Sequence, residues 1–139
     1  MSNKVTISAN VLAPLKNVWE GYTLPEHITQ WNFADPSWQC PSASNDLKVG
    51  GKYSARMEAK DGSFGFEFEA IYTEVVHERK LSYQMLDGRY ADITFNSFEN
   101  TTEVTIVFDP ENIHPVEFQK AGWQAILNNF KLYIEGLNY

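Results

Sequence analysis

Strict alternation of apolar and polar residues recurs along most of the chain and predicts a half-buried β-sheet. The first such segment is residues 4–12, where Val5, Ile7 and Val11 share one face. A period of two is expected when one face of a strand is buried and the other meets water. Later segments repeat it at residues 53–58, 64–73, 81–85, 91–96 and 102–108. The pattern therefore predicts six strands, and the short turns between the last five favour antiparallel hairpins.

A second period, of three to four residues, predicts one long helix over residues 115–135. Pro115 suits the first helical position, and Gly136 suits a left-handed residue just past the end. Gly122 lies inside the helix, where glycine costs about 1 kcal/mol relative to alanine. That cost indicates either a close approach of the helix to the sheet or to a ligand, or relief of crowding beside Trp123.

Between the first strand and the other five, the sequence predicts two short helices and a loop. Residues 14–22 and 24–31 each carry apolar side chains on one side of a helix. Residues 32–48 are rich in proline, serine and asparagine, so we predict an irregular loop that forms a mouth or lid. The fold class is therefore α+β. Residues 1–139 are expected to form a single domain with a curved six-stranded antiparallel sheet, two short helices and one long C-terminal helix.

A twisted sheet curls away from a straight helix, because each strand rotates by roughly 20° against the next. The resulting gap would be a cavity for an apolar ligand, although large aromatic side chains more often fill such a space as core. Tyr83 is the best polar candidate, since its hydroxyl could bind a ligand carbonyl or satisfy a buried backbone group. The expected lining residues are Tyr53, Met57, Phe66, Phe68, Tyr83, Phe95, Trp123, Ile126 and Phe130.

Composition narrows the classes of function. The 139 residues are 43% hydrophobic and carry a formal net charge of −7, which argues against nucleic acid and anionic membranes as partners. No segment reaches the ~20 apolar residues of a membrane span, and the N-terminus lacks the features of a secretory signal. Cys40 is the single cysteine, so no internal disulfide can form. We expect a monomeric protein of the reducing cytoplasm.

Chemistry that needs a cofactor or a metal is not predicted. The glycine patterns that bind nucleotides are absent, and His27, His77 and His114 do not have the spacing of metal ligands. No acidic residue is placed by its spacing inside the apolar face, so no carboxylate is a candidate acid or base. We therefore predict no catalytic residue, no metal site and no cofactor.

Several short motifs occur in the order found in a known family. They are Val18-Trp19, Pro25-Glu26 with Trp31, Asp46 with Val49-Gly50-Gly51, Asp61-Gly62, Thr102, and Gly122-Trp123 with Leu127 and Phe130. With these motifs the chain resembles bacterial homologues of the C-terminal domain of the Hsp90 ATPase activator, over about residues 5 to 135. That family lies in the START-like group, which also holds polyketide cyclases and the Bet v 1 allergens.

The resemblance implies a helix-grip fold, in which a curved antiparallel sheet holds the C-terminal helix around a hydrophobic cavity. It implies that such proteins commonly bind lipids, polyketides or other apolar molecules. Our leading hypothesis is non-catalytic binding of such a molecule, on the basis of the apolar strand face and the glycine-bearing helix. A small cyclase or hydrolase on the same scaffold, with Tyr83 or His27 as acid or base, is the first alternative. The second is a chaperone-associated protein of the stress response. The N-terminal domain with which the eukaryotic activator stimulates the Hsp90 ATPase has no match here.

Overall fold

A computed structural model describes residues 4–137 as three helices and one seven-stranded antiparallel sheet. In chain order the elements are β1 (Val5–Val11), α1 (Leu15–Thr23), α2 (Pro25–Trp31), β2 (Trp38–Asn45), β3 (Lys52–Ala59), β4 (Gly65–Val76), β5 (Lys80–Met85), β6 (Tyr90–Phe98), β7 (Thr101–Phe108) and α3 (Val116–Glu135). The predicted α+β class, the antiparallel meander and the order of helices are confirmed. Within this part of the chain, no helix combines the length and hydrophobicity needed to cross a bilayer.

The sheet contains seven strands, so the prediction of six was wrong. Its spatial order is β1-β7-β6-β5-β4-β3-β2, with the first strand added beside the last. The extra strand, β2, lies within residues 32–48, which were predicted to be a loop. Its register with β3 shifts between Gln39 and Ser42, and Pro41 lies inside this irregularity. Proline is tolerated in an edge strand and at a bulge. Because the register shift interrupts the alternation of inward and outward side chains, the sequence of β2 lacks a regular period of two.

The long helix α3 begins at Val116, one residue after the predicted first position, and Pro115 precedes it in an extended conformation. Gly136 does follow the last turn, and its N–H donates to the Leu132 carbonyl oxygen at 3.1 Å. Its φ of −82° is right-handed. The predicted left-handed closure was therefore wrong, because the chain continues the helical twist for one more residue.

One side of α3 is attached to β1 by side chains that bond to the backbone of this edge strand. Gln124 Nε2 donates to the Ser8 carbonyl oxygen at 3.1 Å, and Lys131 Nζ donates to the Asn10 carbonyl oxygen at 2.7 Å. Glu135, one turn further on, accepts a bond from a backbone N–H just past the end of β1 at 2.8 Å. These contacts fix the helix along the β1 edge of the sheet.

The core beneath the C-terminal half of α3 consists of aromatic side chains from three helices and the sheet. Phe130 is fully buried, and its ring lies edge-on to those of Trp31 and Tyr22 at centroid distances of 5.0 and 5.2 Å. Phe95 of β6 contacts the same Tyr22 ring at 5.6 Å. Edge-to-face contacts of this kind add to the stabilisation from apolar burial, so this cluster joins helices and sheet.

We expect Phe130→Ala to lower the free energy of unfolding by about 3–5 kcal/mol, because a fully buried aromatic ring is removed. Leu132, two residues away on the same helix, is 67% exposed. Leu132→Ala should change stability by no more than about 0.5 kcal/mol. Urea unfolding of the two variants checks this pair of values, and equal losses would contradict the packing of α3.

Candidate functional site

An aromatic stripe on the inward face of β4 passes from the core to the surface. Ala70 and Tyr72 are buried, Phe68 is half-buried, and Phe66 and Phe64 are 47% and 72% exposed. The sequence left open whether such aromatic side chains fill the core or line a pocket, and the structure places Phe64 and Phe66 outside the core. The cause is incomplete cover, because the helices pack most closely against β1, β2, β6 and β7. The inward face of β4 thus opens at the hairpin that joins it to β3, whereas Met57 and Ala59 of β3 stay buried.

The predicted lining residues separate into three groups and two single residues. Tyr53, Phe68 and Tyr83 form one cluster, with ring centroids 5.9 to 6.1 Å apart. Phe95 and Phe130 belong to the buried cluster around Tyr22. The remaining residues are Met57 and Phe66, paired across β3 and β4, Trp123, which stacks on Phe108 at 4.0 Å, and half-buried Ile126.

Four tyrosine side chains meet in this interior, and two of their hydroxyls have a side-chain partner. Asn32 Nδ2 donates to the Tyr53 hydroxyl at 3.1 Å. The Tyr72 hydroxyl donates to Asn45 Oδ1 at 2.8 Å. Both asparagines come from the edges of the segment that was predicted to be a loop. They were not predicted as site residues, because their partners depend on how β2 folds back against the sheet.

The hydroxyls of the other two, Tyr22 and Tyr83, have no hydrogen-bond partner among residues 4–137. In the same part of the chain, every fully shielded side-chain nitrogen or oxygen does have a partner. The two hydroxyls therefore retain contact with accessible space, although Tyr83 as a whole is only 7% exposed. Tyr22 was predicted to lie on the inner side of a short helix but was not predicted as a site residue.

Burial raises the pKa of Tyr53 and of Tyr83 well above the usual value for a phenol, and the charges of neighbouring tyrosines add to this effect. Burial likewise raises the pKa of Tyr22 and Tyr72. All four phenols stay protonated at neutral pH. They can therefore donate hydrogen bonds, but they are poorly suited to accept a proton as general bases.

The side of α3 that faces away from β1 borders an opening at Gly122. A Cβ atom built on Gly122 would meet no atom within 4 Å, so close approach to the sheet does not explain this glycine. Two turns further along, Asn129 Nδ2 donates to the Phe33 carbonyl oxygen at 2.8 Å. A hydrogen bond of 2.7 Å joins His27 Nδ1 to the Tyr133 hydroxyl at the end of the same side. This side of α3 is therefore closed towards its C-terminus and open near Gly122.

Two depressions on the outer face of the sheet do not involve the predicted site. One, of about 140 Å³, is lined by Ser42, Ala43, Ser44, Ser54, Arg56 and Glu67. The other, of about 510 Å³, is lined by Asn10, Asn96, Ser97, Phe98, Thr101 and Glu103. Their polar linings suit water better than an apolar molecule. Across residues 4–137 no three His, Cys, Asp or Glu side chains gather as metal ligands would.

Comparison with known proteins gives the family. The sequence model described as "Activator of Hsp90 ATPase homolog 1-like protein" matches residues 12–135. Among solved structures, an AHSA1-like protein from Aeromonas hydrophila is 41% identical, with 96% of this chain and 92% of that chain covered and a TM-score of 0.90. Chr148 from Cytophaga hutchinsonii is 43% identical, covers 95% and 92% of the two chains, and has a TM-score of 0.82.

The chain therefore belongs to the Activator of Hsp90 ATPase homolog 1-like family, within the START and Bet v 1-like superfamily. A more distant structure, CV1439 from Chromobacterium violaceum, is 21% identical over 96% of this chain and 98% of that chain. Its TM-score of 0.84 supports the fold alone. A comparison with curated proteins found no match. Family membership identifies a ligand-binding scaffold without identifying a ligand.

The buried phenols make stability fall at high pH. Tyrosines of the unfolded chain have a pKa near 10, whereas burial raises the pKa of Tyr53 and Tyr83 in the folded chain. The unfolded state therefore releases protons first as pH rises. Above about pH 10, each such phenol should lower the free energy of unfolding by about 1.4 kcal/mol per pH unit. Phenolate absorbance and near-ultraviolet circular dichroism should change together, and full ionisation of a still-folded chain would contradict this.

We expect Gly122→Ala to raise the free energy of unfolding of the ligand-free chain by about 1 kcal/mol, because alanine favours a helix and its methyl group meets open space. Chemical denaturation measures the difference. A loss of stability would instead mean that a neighbouring atom contacts this position, and the opening beside α3 would then be absent.

Proposed function

We propose that this protein binds an apolar small molecule, a lipid or a polyketide-like compound, between the inward face of the sheet and the Gly122 side of α3. The observation that carries the proposal is the aromatic stripe on one face of the sheet, which passes from exposed Phe64 and Phe66 through half-buried Phe68 to buried Tyr83. Exposing aromatic surface to water costs free energy, which an apolar ligand that covers it would recover. Because the stripe leads into the core, it also provides an apolar path from the surface inward. Family membership in a ligand-binding superfamily supports the same conclusion.

The contacts proposed for the ligand are those of the predicted lining, arranged by depth. Phe66 and Met57 lie at the outer end of the site, Phe68 and Ile126 lie midway, and Tyr53 and Tyr83 lie at the inner end. Phe95, Trp123 and Phe130 complete the proposed set as the wall formed with α3. From Phe66 through Phe68 to Tyr83 this order follows the fall in exposure, whereas Met57 is placed by its pairing with Phe66 and is itself buried. The ligand would therefore enter near the β3–β4 hairpin, on the side of Phe66.

Binding without catalysis fits the chemistry of the side chains better than a cyclase or hydrolase does. An enzyme of that kind would use Tyr83 or His27 as acid or base. Burial holds the pKa of Tyr83 too high for a base at neutral pH. The His27 ring is joined by a 2.7 Å hydrogen bond to Tyr133 between α2 and α3, where it links two helices.

A partnership with an Hsp90-type chaperone is a second candidate, favoured by the description of the matching family. Exposed Phe64 and Phe66 lie with their ring centroids 6.3 and 6.2 Å from that of half-buried Trp38, and this cluster gives such a partner an apolar contact surface. The purified protein should then be retained by the host Hsp90 homologue and change its ATPase rate. No retention and no change in rate would exclude this candidate.

The proposal also covers the wider setting of the protein. We propose that residues 1–139 act as one domain, since one core is shared by all three helices and both ends of the sheet. We further propose a monomer in the cytoplasm, on the basis of the single cysteine, which is buried, and the acidic net charge. Sedimentation of the purified chain tests whether the protein is a monomer, and a stable dimer would contradict this proposal.

Titration of lipids and aromatic polyketides, followed by amide NMR shifts, tests the binding function. Shifts should concentrate on the inward residues of β3, β4 and α3. Phe66→Ser should weaken binding about tenfold, because the ligand loses apolar contact. Phe98→Ser is the matched control, since Phe98 is 74% exposed and lies on the outer face, and it should leave affinity unchanged. Equal effects of the two substitutions, or shifts confined to the outer face, would overturn the proposal.

A further inference from the structure

We infer that the hydroxyls of Tyr22 and Tyr83 form a polar inner end of the binding space and together bind a neutral carbonyl oxygen of an otherwise apolar ligand. The inference rests on the proposed function and adds the chemistry of the ligand to it. Three features support it. Tyr22 and Tyr83 lack hydrogen-bond partners in the described chain, the nearby cation Arg89 is already paired, and the surrounding side chains are apolar rings.

The two hydroxyls stand apart from the others of their group. Tyr53 and Tyr72 each have a side-chain amide partner, at 3.1 and 2.8 Å. Tyr22 and Tyr83 have none among residues 4–137, and their oxygens still border accessible space. Water can therefore reach both oxygens, and a ligand oxygen that takes the place of that water accepts from donors that the protein leaves unused.

The two phenols approach one region through shared neighbours, because Asn45, which accepts from the Tyr72 hydroxyl, donates at 2.8 Å to the carbonyl oxygen of Thr23, the residue after Tyr22. The ring of Tyr83 stacks with that of Tyr53 at 6.1 Å and lies edge-on to that of Tyr72 at 6.1 Å. The charge of Tyr22 adds to the rise in the pKa of Tyr53 and of Tyr83. Both phenols remain protonated, so each presents an O–H donor. A carbonyl oxygen has two lone pairs and can accept from both.

The surroundings select a neutral acceptor over an anionic one. Burying a carboxylate or phosphate requires a paired cation. The cation that most affects Tyr83 is Arg89, and its Nε donates to an Asp87 carboxylate oxygen at 2.7 Å. The walls next to the hydroxyls are the rings of Phe68, 6.0 Å from Tyr83, and Phe95, 5.6 Å from Tyr22. These rings accept the carbon body of a ligand and leave its oxygen to the two donors.

The inference is tested with a pair of planar tricycles of nearly equal shape, fluorenone, which carries a carbonyl, and fluorene, which carries a methylene in its place. The wild-type chain should bind fluorenone about tenfold more tightly, as expected for hydrogen bonds formed in a shielded site. In the double variant Tyr22→Phe, Tyr83→Phe, the preference should be lost, so that the ratio of the affinities for fluorenone and fluorene falls to about one. Tyr90→Phe is the matched control, because Tyr90 is 45% exposed, and it should keep the full preference.

The infrared carbonyl stretch of bound fluorenone provides a readout that does not depend on the variants folding. In the wild-type chain it should shift to lower frequency relative to fluorenone in a hydrocarbon solvent, because two donors polarise the carbonyl. An unshifted stretch, or a double variant that keeps the preference, would overturn the inference.

The outcomes also separate this inference from the proposed function. Equal binding of the two tricycles would overturn the carbonyl site and leave apolar binding intact. The same holds if lipids shift the inward amides while neither tricycle does. If no lipid, polyketide or tricycle causes a shift, both the inference and the proposed function fail.

Discussion

The structure depends on the one-sided attachment of α3 to the sheet. Gln124 and Lys131 bond to the β1 backbone, and the aromatic cluster around Phe130 closes the C-terminal half of the helix. The sheet twists progressively away from β1 through seven strands. A straight helix fixed at one edge cannot follow that curvature. The end of β4 at Phe66 is therefore left without cover, and the open space beside Gly122 fits the same geometry.

Hydrogen bonds between polar side chains of the interior hold the residues around this opening in place. Asn32 and Asn45 approach from the β2 side and bond to Tyr53 and Tyr72. Amides that bond to phenols hold those rings in fixed positions, which preserves the shape of the aromatic wall without filling the space in front of it. The same arrangement leaves Tyr22 and Tyr83 as donors whose acceptor must come from outside the described chain. The bonds from Asn32 and to Asn45 therefore both order the aromatic wall and leave the hydroxyls of Tyr22 and Tyr83 available as donors.

The sequence was sufficient for the elements and for the face that each one buries, because alternation and helical period report directly on which side of an element meets the core. It was insufficient in three places. The edge strand β2 contains Pro41 and a register shift, so its pattern is irregular. The exposure of Phe66 depends on whether a helix lies opposite, which no local period encodes. The roles of Asn32 and Asn45 depend on contacts 21 and 27 residues away in sequence. The binding function itself stays a prediction.

The irregular edge strand has a consequence for how copies of the protein behave beside one another. An open edge with regular N–H and C=O groups invites strands of other molecules to extend the sheet, and this is a common start of aggregation. At one edge of this sheet, the missing N–H of Pro41 and the shifted register of β2 break the ladder that an incoming strand would need. At the other edge, side chains of α3 already occupy carbonyl groups of β1. The sheet can therefore leave an aromatic interior partly open without offering its borders as a template for fibres.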